Sequence, residues 1–384
     1  MHNLPPPHPD AILHSQRLTA TIITAIEQAG GIIPFNEFMR LALYAPGLGY
    51  YSAGMRKFGT DGDFVTAPEI SPLFAQCIAR QCQQVLTNFD AGVILELGAG
   101  SGIMAVDILK TLQELNSLPK RYFILEVSAD LQQQQREMLQ TKAPQFLPLV
   151  EWLHELPTEP LQGIILANEV LDAMPVQKFH IKQDDITEFN ITHDSDSFVW
   201  HEQTTTDTAL QEAVTALDLP DDYISEINLA LPAWLQSIAD ILAEGMILLI
   251  DYGFPSNEFY HPQRNQGTLM CHYRHHSHID PLILVGLQDI TAHVDFTTVA
   301  EAASLAELQV AGYTNQANFL LGCGLADILF SLNPDDKQNY LPHAQQAKTL
   351  ILPSEMGELF KVMALTKNFD MPLLGFSQDE RVRL

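Results

Sequence analysis

Cysteine, positive charge and long apolar runs are all scarce in this chain of 384 residues. Its four cysteines, Cys77, Cys82, Cys271 and Cys323, form no C-x-x-C pair and no even framework of close spacings. That argues against a disulfide scaffold and for free thiols in a reducing compartment, with Cys77 and Cys82 on helix or core positions. Lysine plus arginine number 20 against 47 aspartate plus glutamate, for a formal charge of −27. Such a field repels nucleic-acid phosphates and anionic membranes and draws in cations, so basic partners are favoured and nucleic acid is not expected. Acidity that serves only solubility is the plainer alternative. No uninterrupted apolar stretch approaches the ~18 residues needed to cross a bilayer. The stretch "MHNLPPPHPDAILHSQRL" has neither a basic segment followed by an apolar one nor the arginine-rich look of a transit peptide, so cytoplasm is the expected address.

What is present is a globular composition, 46% hydrophobic, in a chain long enough to bury a large core. The N-terminal part, residues 1–91, reads as a helical cap. It has a helix over Ala11 to Gly30, a second over Phe35 to Tyr44, a glycine-rich and aromatic loop, and a helix capped by Ser71-Pro72 and running to about Leu86. From Gly92 the pattern changes. "GVILELG", "RYFILEVS", "GIILANEV" and "GMILLIDYG" are short apolar strands separated by helices such as "SGIMAVDILKTLQEL" and "ADLQQQQREMLQTK". This alternation predicts βαβ units and a mostly parallel sheet with helices on both faces, a Rossmann-like α/β core over 92–384. Two insertions interrupt it. Residues 176–231 contain a period-two flap, "VQKFHIKQDDITEFNITHDSDSFVWHEQ", and residues 254–297 are long and aperiodic. "GYTNQANF" reads as a polar strand, and "FKVMALTKNF" as a last, antiparallel one.

The stretch "ILELGAGSG", residues 94–102, poses the functional question. A dinucleotide turn spaces its glycines G-x-G-x-x-G and seats a pyrophosphate on the helix N-terminus. Here the spacing is Gly98-x-Gly100-x-Gly102, so the third glycine comes one residue early, and no G-x-x-x-x-G-K-[ST] is present. Glu96, two residues before the first glycine, would repel a pyrophosphate and attract an ammonium group. A ligand with an ammonium, a sulfonium and no phosphate fits these facts, and S-adenosylmethionine is such a ligand. The bare backbone of the three glycines would seat its methionine part. Glu126, at the end of the second strand, would take both ribose hydroxyls, and Asn168, at the end of "GIILAN", would line the cleft. Ala99, Ser101 and Val127 complete the two turns.

The chain also resembles a known family. "GTDGDFVTAPEIS", "ELGAGSG", "NEVLDAMPV", "DYGF" and "QDITAHVDFT" look like the MidA-type class I methyltransferases, whose mitochondrial members are arginine methyltransferases needed to assemble respiratory complex I. The resemblance runs from about Gly30 to Asn368. It implies a S-adenosylmethionine cofactor held by Glu96, Gly98, Gly100, Gly102, Glu126 and Asn168, with the loop carrying Asp63, Thr66 and Glu69 closing over it. It also implies a protein acceptor, with arginine the first choice.

An arginine acceptor calls for carboxylates that grip a guanidinium and take its proton. Glu169 and Asp172 follow the third strand end, and a helical turn beginning there would put both on one face. A cap plus a solvated acid is the alternative. His293 and Asp295 in "AHVDF" read either as a general base with its orienting partner or as a structural pair. Asp251 and Tyr252 end a further strand and can contribute to the pocket. "CHYRHHSHID" is dense in metal-ligand types, but no second ligand pair is evident, so no metal is expected and the tract reads as a substrate-facing loop. The expected activity is therefore methyl transfer to a protein side chain. A non-catalytic assembly chaperone retaining the fold is the alternative, and a nicotinamide-dependent oxidoreductase is disfavoured by the glycine spacing.

Overall fold

The computed structural model describes residues 4–53, 66–183 and 185–384. The described residues divide into two compact units: 4–53, 171–183, 185–232 and 256–294 in one, 66–170, 233–255 and 295–384 in the other.

The second unit is built on a sheet. Seven of its strands are β1 (Val93–Leu97), β2 (Tyr122–Leu125), β3 (Val150–Leu153), β4 (Leu161–Asn168), β5 (Leu242–Phe254), β6 (Gln309–Asn315) and β7 (Phe360–Lys367). Their spatial order is 6-7-5-4-1-2-3. Neighbours among β1 to β5 are parallel, whereas β7 runs antiparallel to both β5 and β6. The continuous apolar runs explain this placement. Ile94, Ile164 and Leu248 face one way, Leu95, Ile165 and Leu249 the other, and all six are buried, so both faces of the sheet are covered. One covering layer includes α2 (Pro72–Leu86) and α3 (Ile103–Glu114), whose Phe74, Ile78, Cys82, Val106 and Leu109 share a core with β1, β4 and β5. A short helix, α1 (Ala67–Ile70), precedes α2, and α4 (Ala129–Lys142) follows β2.

Two expectations shift here. The helix α2, read from sequence as part of the N-terminal cap, lies in the sheet unit. The reason is burial: Leu73, Phe74, Ala75, Cys77, Ile78 and Ala79 are all enclosed, and a helix buried nearly all round must sit inside a core. The expected strand "GYTNQANF" ends at Asn315, whose side chain accepts the Asn318 N–H at 2.9 Å and starts a helix, Gln316–Gly322.

The first unit is antiparallel. Gln177–Lys182, Asp185–Asp194, Ser197–Thr204 and Tyr223–Ile227 pair in a sheet, as the period-two alternation of the flap predicts. Ile33–Pro34 adds to its edge, and Phe35, Phe38, Phe198 and Trp200 pack ring against ring. The histidine-rich tract is not a free loop. Met270–Tyr273 and His276–His278 form a hairpin whose turn residues, Arg274 and His275, adopt left-handed φ of 47° and 61°. Alternation then buries Cys271 and Tyr273.

Candidate active site

The strand order reverses between β1 and β4, and at such a switch point the loops from neighbouring parallel strands diverge and leave a crevice at their carboxyl ends. The loop leaving β1 is the glycine turn. Gly98, Gly100 and Gly102 have φ of 62°, 54° and 83°, a left-handed series that residues with a Cβ rarely adopt. The Gly98 N–H donates to the Leu125 carbonyl at 3.1 Å, which ties the turn to the tip of β2, and Gly102 caps α3. Ser101, inside the turn, accepts the Ile103 N–H at 3.3 Å and donates its hydroxyl to the Glu69 carboxylate. Glu69 stands on α1, with Thr66 at that helix's N-cap position. Asp63 lies outside the described residues.

Two acids mark the tips of β1 and β2. Glu96 is buried and accepts the Tyr122 hydroxyl at 2.7 Å. Burial pushes its carboxyl up to about 7, the Tyr122 hydrogen bond pulls it down, and the nearby Glu126 raises it further. Glu126 is also buried. Its two oxygens accept the Ser128 N–H at 2.9 Å and the Gln135 amide at 3.1 Å. Val127, beside it, is 67% exposed at the mouth of the crevice.

At the tip of β4, Asn168 donates its amide to Glu169 at 3.0 Å. Its Oδ1 is buried and has no hydrogen-bond partner. Glu169 follows with φ of 53°, held by its N–H to the Ile250 carbonyl at 2.9 Å, and the Val170 N–H donates to Asp251 at 3.1 Å. This left-handed residue is incompatible with the helical turn expected over Glu169 to Asp172. The chain makes an irregular turn instead, and the two acids fall in different units.

In the first unit Asp172 is buried, and its carbonyl accepts the Ala292 N–H at 2.9 Å. The His293 N–H donates to Thr268 at 3.0 Å. Asp295 has a structural task. Its carboxylate caps the helix Phe296–Leu305, accepting the N–H groups of Thr297 and Thr298 at 3.0 and 3.4 Å and the Thr298 hydroxyl at 2.8 Å. Asp295 thus caps a helix, a task that the sequence reading did not assign to it. Among the described residues, no group of three or more His, Cys, Asp or Glu side chains is arranged to hold a metal ion.

Sequence reasoning passed over Gln132 and Gln135, which stood in what looked like a simple glutamine run. Both are buried on one face of α4. Gln132 donates to the Glu126 carbonyl at 2.7 Å, and Gln135 reaches Gly100, Glu126 and Trp152. The available signal was their three-residue spacing, placed directly after an acid at a strand tip. Tyr122 was likewise readable only as an apolar strand residue.

The donor set suits a cationic nucleoside. Carboxylates stand at two adjacent strand tips, bare backbone lies beside them, and a buried amide oxygen at the third tip awaits a donor. Comparison with known proteins agrees. Residues 77–314 match the family described as "Putative S-adenosyl-L-methionine-dependent methyltransferase". A COG1565 superfamily protein of Burkholderia thailandensis, crystallised with S-adenosyl-homocysteine, is 43% identical with a TM-score of 0.96, covering 100% of both chains. The mitochondrial protein arginine methyltransferase NDUFAF7 of Danio rerio is 28% identical over 400 residues, 92% of this chain and 90% of its own length. Its Homo sapiens counterpart is 28% identical over 382 residues, 87% of this chain and 80% of its own. These relatives overturn the cytoplasmic address expected from the sequence, since they are mitochondrial by name. The chain belongs to this family of S-adenosyl-L-methionine-dependent methyltransferases, the MidA-type class I enzymes that its motifs resemble.

Proposed function

We propose that the chain transfers a methyl group to an arginine side chain of a basic protein segment, with Glu169 as the acid that meets the acceptor. The observation that carries this reading is the tip of β4, where Glu169 is set in a left-handed conformation and receives the Asn168 amide at 3.0 Å. The charge of −27 favours a basic segment, and the curated relatives described above are named protein arginine methyltransferases.

S-adenosylmethionine supplies a methyl group on a sulfonium that is already activated for displacement. Glu96, Gly98, Ala99, Gly100, Ser101 and Gly102 would hold its methionine part, Glu126 and Val127 its ribose side, and Asn168 the crevice wall. Thr66 and Glu69 would cover it, with Glu69 anchored through Ser101. As the acceptor nitrogen bonds to the methyl carbon, the S–C bond breaks, its electron pair stays on sulfur, and the nitrogen sheds one proton. Arginine resists this because its guanidinium has a pKa of roughly 12.5–13.8 and its lone pairs are delocalised. Glu169 would accept guanidinium N–H bonds, draw the positive charge toward the nitrogens it contacts and away from the attacking one, and take or relay the released proton. Positioning supplies much of the rest, on the order of 7–11 kcal/mol in favourable cases.

The test is incubation with methyl-labelled S-adenosylmethionine and a cell extract, followed by mass spectrometry of the labelled band. Methylarginine within a basic segment is the expected result. Label on a carboxyl or hydroxyl oxygen, or no label from a protein that binds S-adenosylhomocysteine, would overturn the reading.

A further inference from the structure

We propose that Gln135 is a positioning residue for the cofactor, a clamp that sets the Glu126 carboxylate for the ribose hydroxyls and locks it to the glycine turn. The inference rests on Glu126 being the ribose acid and adds the group that aims it. Gln135 is 1% exposed. Its amide nitrogen donates to the Gly100 carbonyl at 3.0 Å and to the Glu126 carboxylate at 3.1 Å, while its amide oxygen accepts the Trp152 indole N–H at 2.9 Å. The partners fix which way the amide points. A carbonyl and a carboxylate can only accept and an indole N–H can only donate, so the flipped amide would face two acceptors with an oxygen and a donor with hydrogens. The Arg136 guanidinium, 4.5 Å over the Trp152 ring, holds the indole in turn.

The clamp also explains the third glycine. A Cβ at Gly102 would come within 3.2 Å of the Gln135 Cα and Cγ. Gly102 is therefore bare partly to let α4 approach at position 135, and not only to admit a ligand. One NH2 group thus ties the seat of the methionine part to that of the ribose, and a carboxylate held at both oxygens, by Ser128 and Gln135, has its plane set before the ligand arrives.

Calorimetry with S-adenosylhomocysteine and its 2′,3′-dideoxy analogue tests this on the full chain. Gln135→Leu is expected to weaken S-adenosylhomocysteine about tenfold and the dideoxy analogue less than about twofold, since only the first uses the aimed carboxylate. Gln135→Glu keeps the shape of the side chain but sets an anion against Glu126. Its loss of affinity, relative to wild type at the same pH, is expected to be largest at pH 8 and to shrink toward pH 5, where a protonated carboxyl can donate again. Equal losses for both ligands, or a Glu variant whose relative deficit does not change with pH, would reduce Gln135 to a packing residue and overturn the proposal alone. Failure of the wild-type chain to bind S-adenosylhomocysteine would overturn the reading beneath it as well.

Discussion

The tips of β1 and β2 and the tip of β4 lie at the carboxyl ends of one sheet and differ in one respect: the third keeps a buried polar oxygen without a hydrogen-bond partner. At the first two the polar side chains are tied to one another: Tyr122 to Glu96, Gln135 to Glu126 and Gly100, Ser101 to Glu69. At the third, the Asn168 Oδ1 is buried with no partner, and Glu169 occupies a backbone region that costs of order 1–3 kcal/mol for a residue with a Cβ. The contrast separates two tasks. Holding a ligand needs a seat whose geometry is set before binding. Taking a proton from a second molecule needs an acid placed to meet it, the role proposed for Glu169.

The sharpest way to break the comparison is to neutralise Glu169, the acid proposed to meet the acceptor, and watch the proposed seat. Glu169→Gln is expected to lower kcat by about 10²- to 10⁴-fold. Its dissociation constant for S-adenosylhomocysteine should stay within about twofold of wild type. If calorimetry shows affinity falling in step with turnover, the two tips are not separate. The reverse cut is Gly100→Val. A β-branched residue at φ of 54° is strongly disfavoured and would force the turn to change shape. Cofactor affinity is expected to fall at least about a hundredfold with the circular dichroism of the sheet unchanged. Unchanged affinity would remove the glycine turn from the site.

Glu96 gives the seat a measurable dependence on pH. Burial lifts its carboxyl from 4.5 to about 7, so the folded chain favours the neutral form. The stability this confers is full below about 4.5 and is lost as pH rises through about 7, a change on the order of 3 kcal/mol by linkage. A bound ammonium favours the opposite, ionised form. Affinity for S-adenosylhomocysteine is therefore expected to rise toward pH 7 and flatten above it, by up to about tenfold per pH unit on the rising side. Glu96→Gln should flatten that profile while making the unliganded chain more stable than wild type at pH 8, as read by urea unfolding. A variant that keeps the wild-type profile would assign the dependence to another group.

The sequence made the sheet legible because parallel strands buried on both faces read as continuous apolar runs, as in "GVILELG" and "GMILLIDYG". The three strand-tip residues Glu96, Glu126 and Asn168 were legible for the same reason: each is the first polar residue to break or end such a run. What stayed hidden depends on tertiary approach. Gln135 gains its role from a helix crossing close to Gly102, and no periodicity reports which glutamine of four meets a glycine 33 positions earlier. Tyr122 has the same history, since its hydroxyl matters only because Glu96 lies across the neighbouring strand. The helical turn expected over Glu169 to Asp172 is absent for a reason of backbone conformation. The three-residue spacing fits a helix, but the turn that passes the chain from one unit to the other requires a left-handed residue at Glu169. Asp295 shows the converse, an acid three residues before Thr298 whose capping role was available from local sequence.

The smallest effect tests the strain itself. In most helices and strands, alanine is more stable than glycine by roughly 0.5–1 kcal/mol because glycine loses more backbone freedom on folding. At position 169 the sign should reverse. Both Glu169→Ala and Glu169→Gly lose the bond from Asn168, so that contribution cancels between them. What differs is the Cβ, which at φ of 53° crowds its own carbonyl in alanine and is missing in glycine. The glycine variant is therefore expected to be the more stable by about 1 kcal/mol, measured as a difference in urea midpoints. If alanine proves equal or better, the left-handed turn at Glu169 is not a held strain.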